Sequence, residues 1–254
     1  MRQALAVICT CVVASWATTV AAAGTYNNQY RDPSCRPQSV LYLADESLSM
    51  LEVNFFIDGR TTPAATVAQE LLVRFVEQAP RLHYRFGGFT LNVTAWASQR
   101  HFEEIVSWVP ISPDAVDTVI KDIETLEYNH FGSWLDAALR KARVEVLART
   151  FDESRVIVIV TDGDTAWWSQ YETIPSVIRS ALDREGIELI PIILSHENRF
   201  KSVGSELEPA PMQEGVTYVL RTISSFNHII VGADPNWLGH ELEKRLIELA
   251  CSAY

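Results

Sequence analysis

The stretch Ser39 to Met50, S-V-L-Y-L-A-D-E-S-L-S-M, limits the folds open to this chain more than any other. Val40 to Ala44 is an unbroken apolar run of strand length, the pattern of a strand buried on both faces. It stops on Asp45, and Ser47 and Ser49 follow at alternate positions. One carboxylate and two hydroxyls beyond the carboxyl end of a buried strand are compact, hard oxygen donors. Mg²⁺ takes such donors, with one or two carboxylates and several retained waters. Alone, D-x-S-x-S reads first as a turn or helix-capping pattern, because Asp and Ser bond readily to nearby backbone.

Two later stretches extend the pattern. Arg155 to Asp164, R-V-I-V-I-V-T-D-G-D, is a second buried strand, ending on Thr161, Asp162 and Gly163. Between the two lies N-H-F-G-S-W-L-D-A-A-L, Asn129 to Leu139, where Gly132 and Ser133 open an amphipathic helix. Elsewhere Pro63 starts a helix with Val67, Leu71, Leu72, Phe75 and Val76 on one face, and Pro80 is expected to stop it. His83 to Phe89 reads as a strand, and the alternating Asn92 to Ala97 as an antiparallel edge strand after a short turn. Ser112-Pro113-Asp114 is a helix start. Ile174 to Arg184 reads as helix, Ile187 to Leu194 as buried strand, and Ser195 to Gly215 as a loop. His228 to Val231 reads as a short strand before a terminal helix, Pro235 to Ala250. Alternating strands and helices predict a doubly wound α/β domain, a mostly parallel sheet with helices on both faces. In such sheets ligands bind outside the carboxyl ends of the strands, where the strand order reverses.

The three motifs, in this order, resemble the von Willebrand factor type A domain, also called the integrin I-like domain, from about Ser39 to Cys251. The resemblance implies a Rossmann-like, six-stranded sheet with one antiparallel edge strand. It also implies a metal-ion-dependent adhesion site with Asp45, Ser47, Ser49, Ser133 and Asp162 as ligands of Mg²⁺ (or Mn²⁺). A carboxylate from a protein partner would replace one water on the ion. The chain departs from the family in two places. Ser133 stands where the family usually has Thr, and Leu51 to Thr62 is longer than usual before the first helix.

Residues 1–23 carry one early Arg, an apolar run and the ending Ala21-Ala22-Ala23, which predicts a signal peptide and a secreted protein. Residues 24–38 read as an extended lead-in and residues 39–251 as the domain. Cys9 and Cys11 fall in the leader, leaving Cys35 and Cys251. In an exported chain such a pair is expected to form a disulfide, with free thiols or an intermolecular bond as the alternatives. The expected bond would join the two ends of the domain, as in several members of the family. Asn92-Val93-Thr94 is a glycosylation sequon, placed by this reading on a turn.

A formal net charge of −11 argues against nucleic acid, which proteins bind through Lys and Arg. After the leader, no apolar run approaches the roughly 20 residues of a membrane helix. The expected function is therefore a secreted adhesion or recognition module that is not an enzyme. Trp167, Trp168 and His130 are its candidate partner contacts near the metal face. A scaffold of the same fold with a degenerate metal site is the alternative. A Mg²⁺-dependent hydrolase would need a base, for which His130 is the convenient residue, and the chain has no nucleophile elbow, P-loop or dinucleotide fingerprint.

Overall fold

The computed structural model describes residues 31–57, 59–98, 100–149, 153–163, 175–196, 199–203, 206–209, 214–225 and 229–251. The expected leader, Trp167 and Trp168 lie outside them. In chain order the elements are β1 (Gln38–Asp45), α1 (Ser49–Glu52), β2 (Val53–Ile57), β3 (Arg60–Pro63), α2 (Ala64–Phe86), β4 (Phe89–Trp96) and β5 (Phe102–Pro110). There follow α3 (Val116–Ile123), α4 (Leu135–Leu147), β6 (Ser154–Thr161), α5 (Pro175–Glu185), β7 (Ile187–Leu194), β8 (Arg199–Val203), β9 (Glu206–Pro209), α6 (Glu214–Ile223), β10 (Ile230–Gly232) and α7 (Pro235–Cys251).

Six strands form the central sheet in the order β10-β7-β6-β1-β4-β5. All neighbours are parallel except β4 and β5, so one antiparallel edge strand completes the sheet as expected. Because side chains alternate across a strand, β1 sends Val40, Tyr42 and Ala44 to one face and Leu41 and Leu43 to the other. The first set packs with α2, α3 and α7, and the second with α4, α5 and α6. Both faces of β1 and β6 are buried, and β7 is buried except at Glu188, which is why these strands read as predominantly apolar runs. The chain runs β1–β4–β5 to one side and returns to β6 on the other side of β1. The strand order therefore reverses between β1 and β6.

Four local expectations are corrected. First, α2 does not stop at Pro80 but runs to Phe86 and closes on Gly87. An interior proline costs about 3 kcal/mol or more in an isolated helix. Leu82 and Phe86, beyond the proline, are both buried, and full burial contributes about 1.5–3 kcal/mol for each such side chain. Packing therefore offsets the proline and absorbs most of the residues expected to form a strand at His83–Phe89.

Second, Asn92 is not on a turn. It lies mid-strand in β4, a parallel neighbour of β1, and is 1% exposed. Its Nδ2 donates to Glu104 at 2.8 Å and its Oδ1 accepts from Thr94 Oγ1 at 2.7 Å. Asn92 and Thr94 satisfy each other's polar atoms, so this alternating segment is buried on both faces, and the antiparallel edge is β5 instead. A glycan on that nitrogen has no room in the folded domain.

Third, Leu51–Thr62 and the expected loop 195–215 together build a second, four-stranded sheet, β3-β2-β8-β9. Its β2 and β8 pair antiparallel, with Val53 opposite Lys201. Fourth, α6 was not anticipated. The expected cystine is present, Cys35 bonded to Cys251, and the Arg36 N–H donates to the Ala250 carbonyl at 3.0 Å beside it.

Candidate metal centre

The register of the central sheet brings the two acid-ended strands together. Ala44 lies opposite Val160 in the parallel β1–β6 pair, so Asp45 and Thr161–Asp162 leave the sheet side by side at its switch point. Asp162 is followed by Gly163, whose φ of 74° is a left-handed conformation that a side chain would resist.

The third segment is clamped to the same place by backbone bonds. The Leu48 N–H donates to the His130 carbonyl at 2.7 Å, and the His130 N–H to the Glu46 carbonyl at 3.3 Å. The Trp134 N–H donates to the Ala97 carbonyl at 2.8 Å, just past the end of β4. Between these clamps Gly132 turns with φ 79°, and an added Cβ would come within 3.2 Å of the Trp134 ring nitrogen. The chain is thereby delivered to Ser133, buried at the head of α4.

Four of the five expected ligands, Asp45, Ser47, Ser133 and Asp162, are buried, and Ser49 is half-buried. Asp45 Oδ1 accepts from the Ser47 N–H at 2.9 Å. Its Oδ2 accepts from Thr161 Oγ1 at 2.8 Å and, more distantly, from Ser133 Oγ at 3.5 Å. The hydroxyls of Ser47 and Ser49 are 2.9 Å apart. Thr161, which the sequence reading did not count in the site, orients the Asp45 carboxylate. Its signal was its place in T-D-G, one residue before the second acid.

Burial pushes the Asp45 carboxyl up to about 7, and the like charge of Asp162 pushes it the same way, against the hydrogen bonds from Ser47 and Thr161. Two like charges in a dry crevice are unfavourable until a cation joins them. Two carboxylates and three hydroxyls, all hard oxygen donors, fit Mg²⁺ or Mn²⁺ by type and number, with room in an octahedron for water.

His130 does not face this centre as an isolated contact. Its ring stacks on that of His101, with centroids 3.6 Å apart. Asp136, in the first turn of α4, is buried and pairs with Arg140 at 3.2 Å. The residue missed on the rim is Phe131, 81% exposed and two residues before Ser133. A lone Phe between His and Gly carries no periodic signal in the sequence.

No family model and no curated protein sequence matches the chain. Among solved structures it is similar to the pilus adhesin SpaC from Lactobacillus rhamnosus GG, with TM-score 0.61, 10% identity, and coverage of 87% of this chain and 31% of that one. The SpRpn10 VWA domain aligns with TM-score 0.57 and 8% identity over 86% of this chain and 99% of that one. Proximal thread matrix protein 1 from the mussel byssus, in a form with a zinc-occupied MIDAS motif, gives TM-score 0.55 and 15% identity over 86% and 46%. The chain thus spans about a third of the adhesin and just under half of the byssus protein. Sheet order, the single antiparallel edge and these likenesses agree that the fold is that of a von Willebrand factor type A domain.

Proposed function

We propose that this chain is a secreted recognition module, not an enzyme, that binds a protein partner through a metal held by Asp45, Ser47, Ser49, Ser133 and Asp162. The observation that carries the reading is the meeting of two buried carboxylates with three hydroxyls at the switch point of the sheet. A bound Mg²⁺ (or Mn²⁺) supplies a Lewis-acidic position at which an incoming carboxylate displaces water. Asp45 and Asp162 carry the charge that retains the ion, and their sum of two leaves attraction for a further anion. Ser47, Ser49 and Ser133 complete the shell without adding charge, and Thr161 keeps Asp45 aimed. Phe131 offers an apolar contact beside the acidic group of the partner. The solved adhesin and the byssus protein with metal in its MIDAS motif support an adhesive, extracellular role. The cystine closing the domain supports export, since such bonds persist in oxidising compartments. Among the described residues, no helix is long and apolar enough to cross a membrane.

Isothermal titration with Mg²⁺ and Mn²⁺, on wild type and Asp162→Ala, tests the first step. Wild type is expected to bind and the variant to lose binding, whereas Ser133→Thr keeps it. A pull-down from extracellular material, with Mg²⁺ and with chelator, tests the second. Absence of metal binding at millimolar concentration would overturn the reading and leave the degenerate scaffold in its place.

A further inference from the structure

Beside the oxygen-rich centre the fold gathers three residues which that centre does not use. Glu46 lies between Asp45 and Ser47 and is 3% exposed. His101 comes from the turn joining β4 and β5, and His130 from the loop before α4. His101 Nε2 is 2.7 Å from Glu46 Oε2, and His130 Nε2 is 4.0 Å from the same oxygen. The potential ligand atoms of all three lie within 4.8 Å of one another. The other oxygen, Glu46 Oε1, accepts the Glu127 N–H at 2.8 Å, so the carboxylate is anchored and turns Oε2 toward the imidazoles.

The backbones carrying these side chains are held as firmly. The Glu46 N–H donates to the Trp96 carbonyl at 2.9 Å, and the His130 N–H to the Glu46 carbonyl at 3.3 Å. The His101 N–H donates to the Ser98 carbonyl at 3.2 Å, and its carbonyl accepts from Ala97 at 3.3 Å. The imidazoles lie face to face with an interplanar angle of 22°. Both present Nε2 to one buried oxygen, a placement that three separate loops have to cooperate to reach.

We propose that Glu46, His101 and His130 bind a transition ion of the zinc class, at a second centre distinct from the Asp45 one. Zn²⁺ holds nitrogen and oxygen ligands at about 2.0–2.2 Å, which sets tetrahedral ligand atoms about 3.3 Å apart. The observed 2.7 and 4.0 Å fall on either side of that spacing, and binding an ion turns the two rings out of their stack so that both Nε2 lone pairs aim at it. Side-chain exposures of 15% for His101 and 38% for His130 leave one side of the centre open, where water or a partner atom completes the shell. Imidazole nitrogens suit zinc, whereas the all-oxygen centre suits magnesium, so the two sites differ in the ion they take.

The test is titration of tag-free, chelator-stripped protein with Zn²⁺ in excess Mg²⁺, followed by the visible spectrum with Co²⁺ as the probe ion. Wild type is expected to take one Zn²⁺ at this centre and to give the intense absorption of a low-coordinate, nitrogen-bound Co²⁺. His101→Ala and His130→Ala are each expected to weaken Zn²⁺ at least tenfold and to abolish that spectrum, while Mg²⁺ binding is unchanged. Asp162→Asn is expected to retain the Zn²⁺ site. Because His130 is partly exposed and its backbone bonds survive a side-chain change, His130→Gln decides the matter if His101→Ala fails to fold. Zn²⁺ binding unaffected by the histidine substitutions, or lost only with Asp162→Asn, overturns the proposal, as does no binding at micromolar Zn²⁺. Mg²⁺ binding is read separately, so failure of the Asp45 centre and failure of this one are distinguishable.

Discussion

Replacing Asp162 by Asn should stabilise the metal-free protein and remove its response to Mg²⁺. The Asp45 carboxyl is raised from 3.8 to about 7, first by burial and next by the charge of Asp162. At about 1.4 kcal/mol for each pKa unit, the whole shift is on the order of 4 kcal/mol. Asp162 is the second cause, so its share is below half, about 1–2 kcal/mol. The sign follows from linkage. A folded-state pKa above the unfolded one means that the folded form holds the proton more tightly. This contribution is full below pH 3.8 and is lost as pH rises to about 7. In chelator, wild type should therefore lose stability relative to Asp162→Asn as pH rises through that window. At pH 8 the variant should melt about 2–8 °C higher, at about 2–4 °C for each kcal/mol in a domain of this size. Mg²⁺ reverses the order: at a hundredfold excess over its dissociation constant a ligand adds about 2.7 kcal/mol, or about 5–11 °C, to wild type alone. Differential scanning fluorimetry of both proteins in chelator and in Mg²⁺, from pH 5 to about 8, supplies the four curves. Curves that coincide in chelator at every pH, with no selective Mg²⁺ response, would refute the electrostatic account of the site.

Reduction of Cys35–Cys251 should lower the melting temperature without unfolding the domain at room temperature. Its 216-residue span corresponds to about 5 kcal/mol in the loop-entropy model. An unchanged melting curve after verified reduction would contradict this. Phe131→Ala should leave Mg²⁺ titrations unchanged and weaken metal-dependent partner capture by about 1–2 kcal/mol; equal capture would remove Phe131 from the interface. Asn92 should be unmodified in protein secreted from a glycosylating host, as peptide mass spectrometry reads directly. Asn92→Ala, which leaves the buried Thr94 hydroxyl without its acceptor, should destabilise by about 1–3 kcal/mol in denaturant titration.

What was legible in the sequence was what local pattern controls. Val40–Ala44, Val156–Val160 and Leu189–Leu194 carry no charged residue because helices cover both faces of their sheet. Asp45 and Asp162 were legible as acids that close such runs, and Ser47, Ser49 and Ser133 entered the candidate site through the resemblance of their motifs to the type A domain. Tertiary structure decided the rest. The second sheet pairs Val53 with Lys201, and neither segment has the apolar run that would announce a strand alone. Pro80 stayed helical and Asn92 became central because burial and partners 12 residues away outweighed local preference. His101 lies 55 residues from Glu46, and Glu46 lies 84 from His130, so their meeting exists only after the three loops are clamped. A local pattern can show that a strand ends on an acid; which distant side chains reach that acid depends on contacts that form only when the whole sheet closes.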